Sequence, residues 1–166
     1  MSNVTIKQVE DAIVAALAGD ETFATTWKAT VLPADDLVDL GAQARARYPL
    51  VGVVYAGAPD GGPLAGGTGA GIQFQRRGEF EVYFIDKSLR GGSAGRTGDA
   101  HSARTPGVYA MAEQALQVLG YKALGLSISK RLEYRGDDLT DVPWDNKAVA
   151  VVMIFATSWE TTCVAD

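Results

Sequence analysis

The 166-residue sequence contains a single cysteine, Cys163, and a single histidine, His101. One of each cannot supply the four ligands of a structural zinc site, and a lone cysteine allows no internal disulfide. The fold must therefore rest on a packed core, as suits assembly in a reducing cytoplasm. Basic residues are outnumbered 15 to 20, leaving a net charge of −5. That balance argues against a protein whose main task is to grip nucleic-acid phosphates, since such affinity needs clustered Lys and Arg. No apolar run approaches the ~20 residues of a membrane helix, and the opening MSNVTIKQVED lacks the basic-then-apolar pattern of an export signal. A soluble, unexported chain folding as one domain over residues 1–166 is expected.

Recognisable catalytic motifs are also lacking. Gly66-Gly67-Thr68-Gly69-Ala70-Gly71 is glycine-rich, but no Lys-Ser/Thr pair follows it and it runs into an alternating strand pattern rather than a helix. A loop is the expected reading. His101, flanked by Asp99 and Ser102, sits in a glycine-rich loop, where rigid support for catalysis is poor. Asp137, Asp138, Asp141 and Asp145 match no calcium-loop spacing and lack its turn glycine, so a solvated connector is expected. No catalytic, cofactor-binding or metal-binding residue is assigned, and the chain is read as a non-enzyme.

What is present is a clear alternation of periods. Thr5–Leu17 reads as a helix with a Thr5/Gln8 capping box, a buried stripe of Ile6, Val9, Ile13 and Leu17, and Gly19 as its terminator. Thr22–Leu32 is rich in Thr, Val and aromatics and suggests a short strand; Pro33-Ala34-Asp35-Asp36 reads as a turn into a helix near Leu37–Arg45. Leu50–Ala56 is apolar on both faces, as in an interior strand. After the glycine-rich Gly57–Gly71, Ile72–Gln75 and Glu79–Ile85 read as a hairpin through Arg76-Arg77-Gly78, with Gly78 left-handed and Phe74 opposite Phe80.

The best-specified stretch is Thr105–Tyr134. Thr105 and Pro106 signal a helix start, and Val108, Met111, Ala112, Ala115 and Leu119 form its buried stripe up to Gly120. Beyond it the period becomes two, and Leu124–Tyr134 reads as a strand. Arg135–Asn146 is then an acidic connector, and Ala148–Trp159 an apolar strand for the middle of the sheet. The order implies an α+β fold: a mainly antiparallel or mixed sheet of four to five strands, two to three helices on one face, and long glycine-rich loops. Tyr55, Glu79, Glu81 and Tyr83 are expected on a more polar opposite face.

The one segment with a functional alternative is Lys87–Arg104. Read blandly, it is a surface loop with scattered charge. The alternative is that Lys87, Arg90, Arg96 and Arg104 meet Asp137, Asp138 and Asp141 of a neighbouring copy, making these seven the candidate interface residues.

The pieces VEDAIVAAL (Val9–Leu17), YPLVGVVYAG (Tyr48–Gly57), FEVYFID (Phe80–Asp86), PGVYAMAEQALQVLGY (Pro106–Tyr121) and AVAVVMIFAT (Ala148–Thr157) span most of the chain. In this order the sequence resembles the phage Mu-type family of small tail-morphogenesis proteins, related in fold to lambda-type tail terminators. The resemblance implies a structural protein of the virion tail, assembled in the host cytoplasm. Its copies would form a ring, hexameric by expectation, that caps the tail tube, stops its polymerisation and joins it to the neck. Tube protein, sheath and head-completion proteins are the implied partners, and DNA would pass through the lumen without specific binding. Two other readings stay open: another tail or neck part of a phage or tail-derived injection machine, and a small-ligand-binding α+β domain or enzyme.

Overall fold

The computed structural model describes residues 3–44, 47–58, 66–67, 72–87, 96–98, 106–128 and 130–163. Helix α1 spans Ile6–Gly19 and starts with the expected capping box: Gln8 N–H donates to Thr5 Oγ1 (3.2 Å) and Thr5 N–H to Gln8 Oε1 (2.8 Å). Val9, Ile13 and Leu17, one per turn, are buried. The helix ends at Gly19 without a left-handed residue, and Asp20 caps it by donating its N–H to Leu17 O.

Asp20 then opens the next element. Its Oδ1 accepts the N–H groups of Thr22 (3.1 Å) and Phe23 (3.2 Å), starting a π-helical turn over Thr22–Thr26. That turn replaces the first half of the strand expected over Thr22–Leu32. Phe23 is the reason: it is fully buried, edge-on to Trp27 at 5.0 Å and stacked on Phe84 at 6.2 Å. Strand β1 is Thr30–Ala34 and runs through Pro33 and Ala34, where the sequence predicts a turn. Proline is tolerated because β1 is an edge strand. Helix α2, Leu37–Ala44, begins as expected on a carboxylate, with Asp39 N–H donating to Asp36 Oδ1 at 2.7 Å.

The sheet follows as β2 (Leu50–Gly57), β3 (Gly66–Gly67), β4 (Ile72–Lys87), β5 (Lys130–Thr140) and β6 (Ala148–Cys163), with helix α3 (Val108–Leu119) between β4 and β5. Its order is β1-β2-β4-β6-β5, with β3 pairing onto the start of β4. Only β1–β2 is parallel. The α+β class and mixed sheet are as the sequence implied, and β6 lies in the interior as its two apolar faces required. Among the described residues no helix is long and apolar enough to cross a membrane.

Two expectations fail in instructive ways. The hairpin of Ile72–Gln75 with Glu79–Ile85 does not exist, because β4 is one 16-residue strand paired with β6 from Ile72↔Cys163 to Lys87↔Ala148. Gly78 is therefore not a turn residue: a side chain there would come within 2.9 Å of Trp159 and 3.2 Å of Tyr55. It is a notch into which two aromatic rings pack.

The strand expected over Leu124–Tyr134 instead starts at Lys130 and continues through Asp137 and Asp138 to Thr140. Tyr121, Leu124 and Gly125 have φ of 56°, 53° and 72°, so the alternating stretch after α3 is a series of turns that still packs Leu124, Leu126 and Ile128 on the core. Strand β5 carries register shifts between Lys130 and Glu133 and between Tyr134 and Gly136. Such bulges break the period-two signal and are frequent at edges.

Helices α1 and α3 cover one face, where Val51, Val53, Phe80, Val82, Phe84, Met153 and Phe155 join Ile13, Leu17, Met111 and Leu119 in the main core. Tyr55 belongs there too, 5.4 Å from Phe80, and not on the polar face with Glu79, Glu81 and Tyr83. On the opposite face α2 covers only one end, where Leu40 packs with Leu50, Val54, Ile85 and Ala150.

Candidate interaction surface

Helix α3 is aimed by β4. Its N-cap is Gly107, at φ 81°, whose N–H donates to Asp86 Oδ2 at 2.9 Å. Thr105, the cap expected from sequence, lies outside the described residues. A side chain at position 107 would collide with the backbone of Arg96, Thr97 and Gly98, so the helix start is sandwiched between β4 and that segment. Burial pushes the Asp86 carboxyl up to about 6, against the opposing pull of the Gly107 and Lys87 amides.

So positioned, α3 shows two stripes. Val108, Met111, Ala112, Ala115 and Leu119 face the core. Tyr109 and Leu116, seven residues apart, stay 42% and 37% exposed on the side toward β5, where Leu139 is 49% exposed. Together they flank a groove of about 400 Å³ floored by Met153, with Glu113, Asp137 and Asp138 on its rim. The sequence carried a signal for this second stripe in the i, i+7 spacing of Tyr109 and Leu116. It was overshadowed by Glu113, Gln114 and Gln117, which made the outer side of the helix read as wholly polar.

The groove runs beside an open sheet edge. At Leu132 the outer edge of β5 is paired, with Tyr121 N–H donating to Leu132 O (2.9 Å) and Leu132 N–H to Lys122 O (3.1 Å). From Tyr134 to Thr140 no described backbone segment bonds to that edge. Unpaired strand edges are templates for another chain, and charged side chains restrict which chain that is.

The expected interface residues fall in three places. Lys87 is engaged within its own subunit, 2.6 Å from Asp145, which also accepts from the Tyr48 hydroxyl at 3.2 Å. Trp144 Nε1–H donates in turn to Tyr48. The hydrogen bond from Lys87 holds the Asp145 carboxyl below its ordinary range, and burial raises the Tyr48 phenol. Arg96 and Asp141 line one cleft of about 290 Å³ with Leu139 and Thr140, at the end of the groove's strand. Asp137 and Asp138 are on the groove rim, and Arg90 and Arg104 lie outside the described residues, as does His101. Among the described residues no three His, Cys, Asp or Glu side chains cluster as a metal site would require.

No curated protein matches this sequence. A chain of the structure described as "Virion of native gene transfer agent (GTA) particle" is similar with a TM-score of 0.55 and 14% identity, covering 92% of this chain and 95% of that one. At that identity the likeness establishes the fold alone. Residues 5–164 match the sequence family described as Bacteriophage Mu, Gp37, and with nearly its whole length matched the chain belongs to that family.

Proposed function

We propose that the protein is a tail terminator: a structural subunit whose copies close into a ring on the tail tube, end tube growth and present a surface to the neck. Membership of a bacteriophage family and a fold shared with a chain of a virion structure support the broader reading, a structural component of a phage-type particle. The observation that carries the narrower one is the groove between α3 and β5 beside the open stretch of edge. It offers exposed apolar side chains, an acidic rim and backbone that no described segment pairs, along one continuous strip. A strip of this kind suits a head-to-tail contact that repeats around an axis. In this reading Arg90, Arg96 and Arg104 of one copy meet Asp137, Asp138 and Asp141 of the next, and Lys87 braces its own subunit through Asp145. Tube protein lies below the ring, with sheath and head-completion proteins around and above it. DNA passes through the lumen without specific contacts, and assembly takes place in the host cytoplasm.

Native mass spectrometry of the purified chain tests the ring: six times the 17.5 kDa subunit is expected. Particles lacking the protein should carry tubes of uncontrolled length. A strictly monomeric chain together with normal tail lengths in its absence would overturn the reading.

A further inference from the structure

The half of the sheet that α2 leaves uncovered carries a second feature, independent of the ring. Cross-strand register places Arg77 of β4, Ser158 of β6 and Lys130 of β5 in one row, since Ser158 is the partner of both others. The next row on the same face is Glu79, Ala156 and Glu133. In the first row two cations flank a hydroxyl; in the second two carboxylates flank a methyl. Adjacent strands are about 4.8 Å apart, so the outer members of a row start roughly 10 Å from one another. The small residues between them leave a cleft of about 100 Å³, to which Arg135 also contributes.

The donors around this cleft are poorly matched to acceptors. Ser158 is 1% exposed, and among the described residues its hydroxyl has no hydrogen-bond partner although it lines the cleft. Its neighbour Thr157 faces no such deficit, because its hydroxyl donates to Lys130 O. Arg135 is paired with Glu133 at 3.4 Å, whereas Arg77 and Lys130 form no ion pair with any described residue. A buried polar group without a partner is costly. A serine hydroxyl can donate or accept, and because Arg77 and Lys130 beside it are donors only, the one group that would satisfy all three is an acceptor.

We propose that this cleft is a receptor for a single carboxylate, held by Ser158 Oγ–H and by the cations of Arg77 and Lys130. Its size admits a side-chain carboxylate or a small free one and excludes a nucleotide. Glu79 and Glu133 offset two of the three cations Arg77, Lys130 and Arg135, leaving the cleft with a formal charge of +1 that one negative charge neutralises and a dianion such as phosphate would overshoot. An acidic side chain of an adjoining protein and a free carboxylate share this chemistry.

The test is a TROSY NMR titration of the full-length protein with sodium acetate, inorganic phosphate and a single-stranded oligonucleotide, all at matched ionic strength. Acetate should shift the amides of Arg77, Gly78, Lys130 and Ser158 saturably, and phosphate and oligonucleotide should do so more weakly. Ser158→Ala and Arg77→Gln should each weaken acetate about tenfold, as expected for losing a hydrogen bond to a charged group. Ser158→Ala should leave the melting temperature unchanged or raised, because it removes a hydroxyl with no partner among the described residues. If acetate saturates these shifts but a Glu-containing peptide leaves them untouched, the occupant is a free carboxylate; if both saturate, a protein side chain fits. Shifts that grow linearly with every salt, tighter binding of phosphate or oligonucleotide, or a lowered melting temperature for Ser158→Ala would each overturn the assignment.

Discussion

The two sides of β4 obey different rules. On the side of α1 and α3, Phe80, Val82 and Phe84 are fully buried in a continuous apolar core. On the other, Glu79, Glu81 and Tyr83 stay partly exposed, and only Ile85, under α2, is buried. The same strand therefore supplies stability from one row of side chains and leaves the other free for recognition. Interactions on the first side involve many neighbours and should be sensitive to any change of shape. Those on the second should tolerate substitution unless a partner is present.

The largest effect expected follows directly. Phe84→Ala opens a cavity against Phe23 and should destabilise the subunit by about 3–5 kcal/mol, measured by urea unfolding at fixed pH. A loss below about 1 kcal/mol would mean that the helix-bearing side is no more tightly packed than the other, and the contrast would collapse.

At the groove the contrast takes another form, since Leu139 lies on the helix-bearing side yet is 49% exposed. Leu139→Asp should leave monomer stability within about 1 kcal/mol, because little burial is lost. It should weaken self-association at least 30-fold, the loss typical of a central apolar contact worth about 2 kcal/mol. Sedimentation at several protein concentrations separates the two quantities. Unchanged assembly would remove the groove from the interface and leave the open edge alone to carry it.

Asp86 sharpens the comparison from inside the core. Its carboxyl titrates near 6 in the fold, above the ordinary 3.8. Between about pH 4 and 6 the folded state therefore holds a proton that the unfolded state releases. The sign is fixed: this group favours folding as pH falls and opposes it as pH rises, with a slope of at most about 1.4 kcal/mol per pH unit in that window. Asp86→Asn keeps an acceptor for the Gly107 amide and removes the titration. The difference in unfolding free energy between the two proteins should change across pH 4–6 and be flat above 7. A flat difference throughout would mean that the Gly107 and Lys87 amides fully offset the burial of the Asp86 carboxyl.

How much of this was legible in the sequence depended on whether a signal was local. The cap of α1, the carboxylate before α2, the core stripe of α3 and the interior character of β2 and β6 are written in neighbouring residues. Gly78 misled because glycine in a turn and glycine under a tryptophan look alike until the partner at Trp159, far along the chain, is known. Strand β5 misled twice: two bulges destroyed its alternation, while Leu124, Leu126 and Ile128 imitated one in a run of turns. Arg77, Ser158 and Lys130 come from three strands, and only the register brings them into a row. Tyr109 and Leu116, by contrast, share one helix at i, i+7 spacing, so the second stripe of α3 is a local signal.

The smallest effect belongs to Tyr83, on the more open side of β4, whose hydroxyl donates to Glu81 Oε2. Burial and this bond raise its phenol above the ordinary tyrosine range, so absorbance at alkaline pH should show one tyrosine ionising late, a phase that Tyr83→Phe removes. Tyr83→Phe removes the hydroxyl from a half-exposed site where water can replace it at Glu81, and it should cost no more than about 1 kcal/mol. A loss comparable to that of Phe84→Ala would show that the polar row is itself a structural network, leaving only Ser158 and its flanking cations for recognition on that side.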